Sequence, residues 1–87
     1  MNYKLFIEDK VDKKFFKISK KNKKQLLSIN KKILQIQQNP FRFKPLKGEL
    51  SGLRRVHIDK SFVLIYEIDE KNRLIRVLDF DHHDNIY

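Results

Sequence analysis

The chain has no cysteine and no tryptophan, and only two glycines and two prolines in 87 residues. Without cysteine there is neither a disulfide framework nor a thiolate metal site. No apolar run approaches the roughly 20 residues that carry a helix across a bilayer. The N-terminus alternates apolar and charged residues where a signal peptide would have a continuous apolar centre. These absences make the cytoplasm the expected location, and no membrane partner is expected. Acids are also scarce, eleven against twenty Lys and Arg, for a formal net charge of +9.

What is present fits one small domain. Hydrophobic residues make up 40% of the chain and include seven Phe, enough for a single modest core. The charge is unevenly placed: residues 1–60 hold seventeen basic and five acidic side chains, residues 61–87 three and six. A basic body of this kind favours polyanions, nucleic acid before anionic membrane. A lysine-rich surface that only keeps the protein soluble has the same composition.

Hydrophobic spacing predicts the elements. Tyr3–Glu8 reads as a short strand with Leu5 and Ile7 on one face and Phe6 on the other. Val11, Phe15 and Ile18, with Phe16 beside them, predict a helix from Asp9 to about Ser19. After a turn at residues 20–24, Leu26, Ile29, Ile33 and Ile36, widened by Leu27 and Leu34, predict a second helix that Asn39-Pro40 stops. Residues 41–51 read as a loop punctuated by Pro45 and Gly48. Three strands follow, at about 53–58, 62–68 and 74–80, the middle one apolar on both faces. The expected fold is α+β in the order β-α-α-β-β-β, as one domain. A helical hairpin packs on one face of a mostly antiparallel four-stranded sheet. The other face is expected to be less covered and to carry Arg55 and His57.

Three stretches carry the resemblance to a known family. They are Pro45-Leu46-Lys47-Gly48 with Gly52-Leu53-Arg54, Val56-His57-Ile58, and Val63-Leu64-Ile65-Tyr66. In order and spacing the chain resembles the RelE/ParE superfamily of type II toxin–antitoxin toxins, and within it the YafQ-like branch. The resemblance runs over nearly the whole chain. It implies a ribosome-dependent endoribonuclease, an mRNA interferase cutting mRNA in the ribosomal A site and neutralised by a small antitoxin. His57 matches the branch's strand histidine. His83 matches its C-terminal histidine, four residues before the terminal aromatic, Tyr87. Lys44 stands where the branch has another histidine, and Arg54 matches the arginine after the glycine. Two departures leave the general base open: Ser61 replaces an aspartate, for which Asp59 is a substitute, and Val63 replaces an arginine.

Metal-free RNA cleavage needs a base for the 2′-OH, an acid for the leaving 5′-oxygen, and cations for the phosphorane. Histidine fills either proton role near neutral pH. The assignment is His83 as general acid, His57 as base or phosphate orienter, and Arg55 beside them as the third catalytic residue. Arg54, Lys47, Lys44 and His82 are expected to bind phosphate, and Tyr87 to stack on a base. No cofactor and no metal are expected. Asp81-His82-His83-Asp84 is metal-capable in composition, but neighbours in a strand point to opposite faces. The expected partners are mRNA on the ribosome and an acidic antitoxin presenting an amphipathic helix. A ParE-like toxin that binds a protein target such as gyrase, and a lapsed homologue that only binds RNA or antitoxin, are the competing functions.

Overall fold

A computed structural model describes residues 2–46 and 52–86 of the chain. The elements are β1 (Lys4–Ile7), α1 (Asp9–Lys21), α2 (Lys23–Gln38), a 3-10 turn (Pro40–Arg42), β2 (Leu53–Ile58), β3 (Phe62–Asp69), β4 (Leu74–His82) and one helical turn, α3 (His83–Ile86). The sheet order is β1-β4-β3-β2. β1 runs parallel to β4, and the other pairs are antiparallel. This is the expected α+β order with one added element, α3.

Local chemistry sets the helix ends. Asp9 and Asp12 occupy the first turn of α1, and Lys20 and Lys21 the last, each complementing the helix dipole. The link between the helices is a single residue, shorter than the expected turn. Asn22 ends α1 and also caps α2, its side chain accepting from the Gln25 amide at 3.0 Å. α2 then runs to the residue before Asn39-Pro40, where the 3-10 turn begins.

The helical hairpin buries a narrow stripe. Val11, Phe15, Ile29, Ile33 and Ile36 meet Val56, Ile58, Leu64, Tyr66, Ile75, Val77 and Phe80 in one core. Phe16, Leu27 and Leu34, expected to widen that stripe, lie outside it at 63, 69 and 50% exposure. Each is one residue from a core position, hence about 100° round the helix from it. The Lys20 ammonium lies over the Phe16 ring, 4.7 Å from its centre. On β1, Leu5 and Phe6 are likewise exposed, and only Ile7 packs against the core.

β3 is buried on both faces. Phe62, Leu64 and Tyr66 face the helices, whereas Val63 and Ile65, at 0 and 5% exposure, lie outside that core. The second face is therefore covered at its centre, against expectation. α3 packs against β3 and β4. Ile86 and Leu46 line a cleft of about 240 Å³ together with Leu53, Ile65 and Leu78. Leu78 is the extra residue of a bulge, since Ile65 pairs with Asp79 and Tyr66 with Val77. The chain around Pro45 also does more than loop. Pro45 bridges to Arg54, the Leu46 amide donates to the Leu53 carbonyl at 2.9 Å, and the Arg55 amide to Lys44 at 3.1 Å. These bonds occupy part of the otherwise open edge of β2.

The buried Tyr66 hydroxyl donates to the Pro40 carbonyl at 2.7 Å, joining the central strand to the end of α2. Burial pushes its pKa up to about 12. Tyr66→Phe would leave that carbonyl without its donor, at a cost of about 1–2 kcal/mol. A lower urea midpoint at unchanged m-value is the expected outcome; an unchanged midpoint would remove this tie from the account.

Candidate functional site

The site forms where the edge of β4, the exit into α3 and the β2–β3 end of the sheet meet. β1 stops at Ile7, opposite Val77, so among the described residues β4 has no strand neighbour on that side beyond it. α1 fills the gap. Lys14 donates to the Phe80 carbonyl at 2.9 Å and contacts Asp81 at 3.2 Å and Asp79 at 3.4 Å. Lys10 adds a contact to Asp79 at 3.8 Å. Two of the eight lysines between residues 10 and 24 are thus directed at β4 carboxylates.

Asp81 organises the turn that follows. Its Oδ1 accepts from the His82 amide at 2.7 Å and the Asn85 side chain at 3.3 Å. The His82 amide foremost, then the Asn85 side chain and the Lys14 ammonium, hold its pKa below the usual carboxylate value. The His83 amide then donates to the Ser61 carbonyl at 2.8 Å, fastening the start of α3 to the residue just before β3.

This turn decides where the histidines go. His82 pairs with Phe62 and lies edge-on to its ring at 5.6 Å, continuing the stack of Phe62 on Phe80. His83 is exposed, with Nδ1 at 3.3 Å from the Ser61 carbonyl and Nε2 at 3.2 Å from Asp84 Oδ1. The two rings lie 4.9 Å apart. Strand alternation does not separate them, because the chain leaves the strand between them.

His57 is exposed on β2. It pairs with Val63, which pairs with Asp81, so the three form one row across the second face. Two strand spacings put the His57 and Asp81 Cα atoms roughly 10 Å apart. His83, bonded to Ser61, sits at the same end of the sheet. His57 and His83 therefore flank the start of β3 and do not lie at opposite ends of the molecule.

The basic candidates divide. Arg55 pairs with Ile65 on the His57 face and is partly exposed. Arg54 points to the helix side: it donates to the Phe43 carbonyl at 2.7 Å and its guanidinium lies over the Phe41 ring at 5.3 Å. Lys44 is exposed beside Arg55. Lys47 and Tyr87 lie outside the described residues. Asp59 lines a cleft with Ser28, Lys31, Lys32 and Gln35 of α2, away from the His57 row. Lys14 escaped sequence reasoning, and Asp81 and Asp84 were weighed only as metal-capable neighbours of the histidines. The lysine was one of many, and its pairing with β4 depends on where β1 ends.

Comparison with known proteins places this arrangement. A family model described as the ParE toxin of the type II toxin–antitoxin system parDE matches residues 5–87. An uncharacterised Methanosarcina mazei protein is 52% identical over 85 residues, 98% of this chain and 99% of that one. A Methanocaldococcus jannaschii protein named as a candidate RelE4 toxin is 49% identical over 85 residues, 98% and 90% of the two chains. Among solved structures, the toxin–antitoxin complex RelBE2 from Mycobacterium tuberculosis aligns with TM-score 0.79 at 21% identity, covering 95% of this chain and 100% of that one. The YoeB/ParE toxin from Agrobacterium tumefaciens aligns with TM-score 0.82 at 19% identity, covering 92% and 98%. The architecture is thus one shared with RelE and YoeB toxins. By sequence, the chain belongs to the ParE toxin family of type II toxin–antitoxin systems, within the RelE/ParE superfamily.

The depressed pKa of Asp81 has a defined sign. Its carboxylate, like that of Asp69, gives up its proton more readily folded than unfolded. The unfolded chain therefore binds more protons, and stability rises with pH. Their contribution is present above the unfolded value of 3.8 and is lost as pH falls through the folded values below it. Urea unfolding at stepped pH should show a shallower acid loss for Asp81→Asn than for wild type. Equal slopes would mean that Asp81 does not hold the turn.

Proposed function

We propose that the chain is an RNA-cutting toxin, a ribosome-dependent mRNA endonuclease of the YafQ-like kind, held in check by an acidic antitoxin. The observation that carries this reading is the setting of His83. A carbonyl only accepts, so Ser61 fixes the proton of His83 on Nδ1 and turns Nε2 outward beside Asp84. A ring held in this way presents Nε2 as the nitrogen from which a proton can be delivered to a leaving 5′-oxygen.

His57 flanks the other side of the start of β3 and takes the role of base or phosphate orienter. Arg55 and Lys44 lie close by on the same edge, where positive charge offsets the phosphorane. Arg54 acts more remotely, by fixing the segment that carries Lys44. His82 supports His83 from the aromatic stack. Lys47 and Tyr87 keep their proposed roles in binding phosphate and stacking on a base. No cofactor takes part in this chemistry, and the proposed setting is the cytoplasm.

The antitoxin reading rests on charge and on an exposed apolar strip. Leu27 and Leu34, seven residues apart on α2, stand 69 and 50% exposed on a strongly basic body. An amphipathic acidic helix satisfies both features. A second reading, a ParE-like toxin acting on a protein such as gyrase without cutting RNA, draws on the ParE family match itself. The absence of an arginine at Val63, and the full burial of that residue, also favour it.

One experiment decides between them. Purified protein is added to programmed ribosomes and the mRNA ends are mapped. The nuclease reading expects cuts only with ribosomes, a loss of about a hundredfold or more in His83→Ala, and silence once the acidic antitoxin is added. No cuts, with gyrase supercoiling inhibited instead, would establish the second reading. No effect in either assay would leave a binding-only homologue.

A further inference from the structure

The C-terminal turn holds one group that the cleavage chemistry does not require as a reactant, the Asp84 carboxylate, 72% exposed. It faces two imidazoles at once. Asp84 Oδ2 lies 3.4 Å from His82 Nδ1, and Oδ1 lies 3.2 Å from His83 Nε2. The Ser61 carbonyl occupies His83 Nδ1, so in the neutral ring Nε2 carries the lone pair. His82 Nδ1 accepts from the Asp84 amide at 3.3 Å, so it is the unprotonated nitrogen of its ring, with a lone pair that an ion would have to take over from that N–H. Two nitrogen lone pairs and a carboxylate thus converge, their donor atoms all within 4.8 Å of one another. Either a proton or a metal ion can bridge such a group of donors.

We propose that His82, His83 and Asp84 form a binding site for a borderline divalent transition-metal ion, of which Zn²⁺ is the representative. The two carboxylate-to-imidazole distances suit it. Tetrahedral ligands at about 2.0–2.1 Å from an ion stand about 3.3 Å from one another, close to the separations of 3.2 and 3.4 Å. The donor set suits it as well. Two neutral imidazoles and one carboxylate favour zinc, nickel or copper over magnesium or calcium, which prefer oxygen ligands. Three protein ligands leave a fourth position for water, as an exposed site allows. The hydrogen bond from His83 Nδ1 to a backbone carbonyl is the outer contact that orients metal-bound histidines elsewhere in proteins. The expectation of no metal rested partly on alternation along a strand; the strand ends at His82, and that premise does not apply.

The consequence for activity rests on the nuclease reading: an ion on His83 Nε2 excludes the proton which that atom would transfer. Binding itself does not depend on that reading. The test is calorimetric titration of ZnCl₂ into the tag-free full chain at neutral pH, with no RNA present. One ion per chain is expected, with affinity weakened about tenfold or more in Asp84→Asn and in His83→Gln. His57→Ala should bind as wild type does, and MgCl₂ should give no saturable heat. Asp84 and His83 are exposed, so both variants are expected to fold, as circular dichroism will check. No saturable zinc binding, or equal affinity in wild type and Asp84→Asn, would overturn the proposal. Because the titration contains no RNA, its failure leaves the cleavage assay untouched, and the reverse also holds.

Discussion

Burial of β3 on both faces is the constraint from which the rest follows. Phe62, Leu64 and Tyr66 need the helices, and Val63 and Ile65 need a second cover. An 87-residue chain has little left to supply that cover once the hairpin is used. It supplies the segment around Leu46 and the turn ending at Ile86. Drawing the C-terminal turn back over the sheet places the His83 amide on the Ser61 carbonyl. The same apolar requirement that closes the fold thus delivers a histidine to the sheet end that carries His57.

Charge works on a smaller scale within that frame. Exposed ion pairs contribute little on their own. Lys14 differs in having a carbonyl as well as two carboxylates to bind, at the place where β4 lacks a strand neighbour. It substitutes for the missing edge partner and keeps the two acids of β4 from repelling each other. Asp81 in turn directs the backbone into α3. The last strand is acidic where the body is basic, and the structure shows why: its acids answer lysines of α1.

Most of the fold was legible because its elements announce themselves locally. Ile29, Ile33 and Ile36 repeat at helical spacing, Asn39-Pro40 stops a helix, and Phe62 to Ile68 has no polar face. What escaped was decided by tertiary context. Phe16, Leu27 and Leu34 have the right residue type but the wrong angle by one position. The tail after Phe80 looks like a polar end, yet His82 still pairs with Phe62 before the chain turns. For the candidate site, His57 and His83 were named from residue type and family pattern, and the fold puts both at one end of the sheet. Arg54 was named on pattern as well, but it spends its guanidinium on the Phe43 carbonyl. Nothing in the local sequence distinguishes an arginine facing phosphate from one facing a backbone oxygen. Lys14 acquires significance only once distant elements are placed together.

The central claim is that apolar contact pins the C-terminal turn onto the second face of the sheet and so positions His83. Methyl-selective NMR tests it directly, through cross-peaks between Ile86 and Ile65 and between the His83 ring and Ser61. The account predicts both sets, with Val63 and Ile65 methyls shielded from a soluble paramagnetic probe. A spectrum lacking both, with those methyls open to the probe, would contradict it.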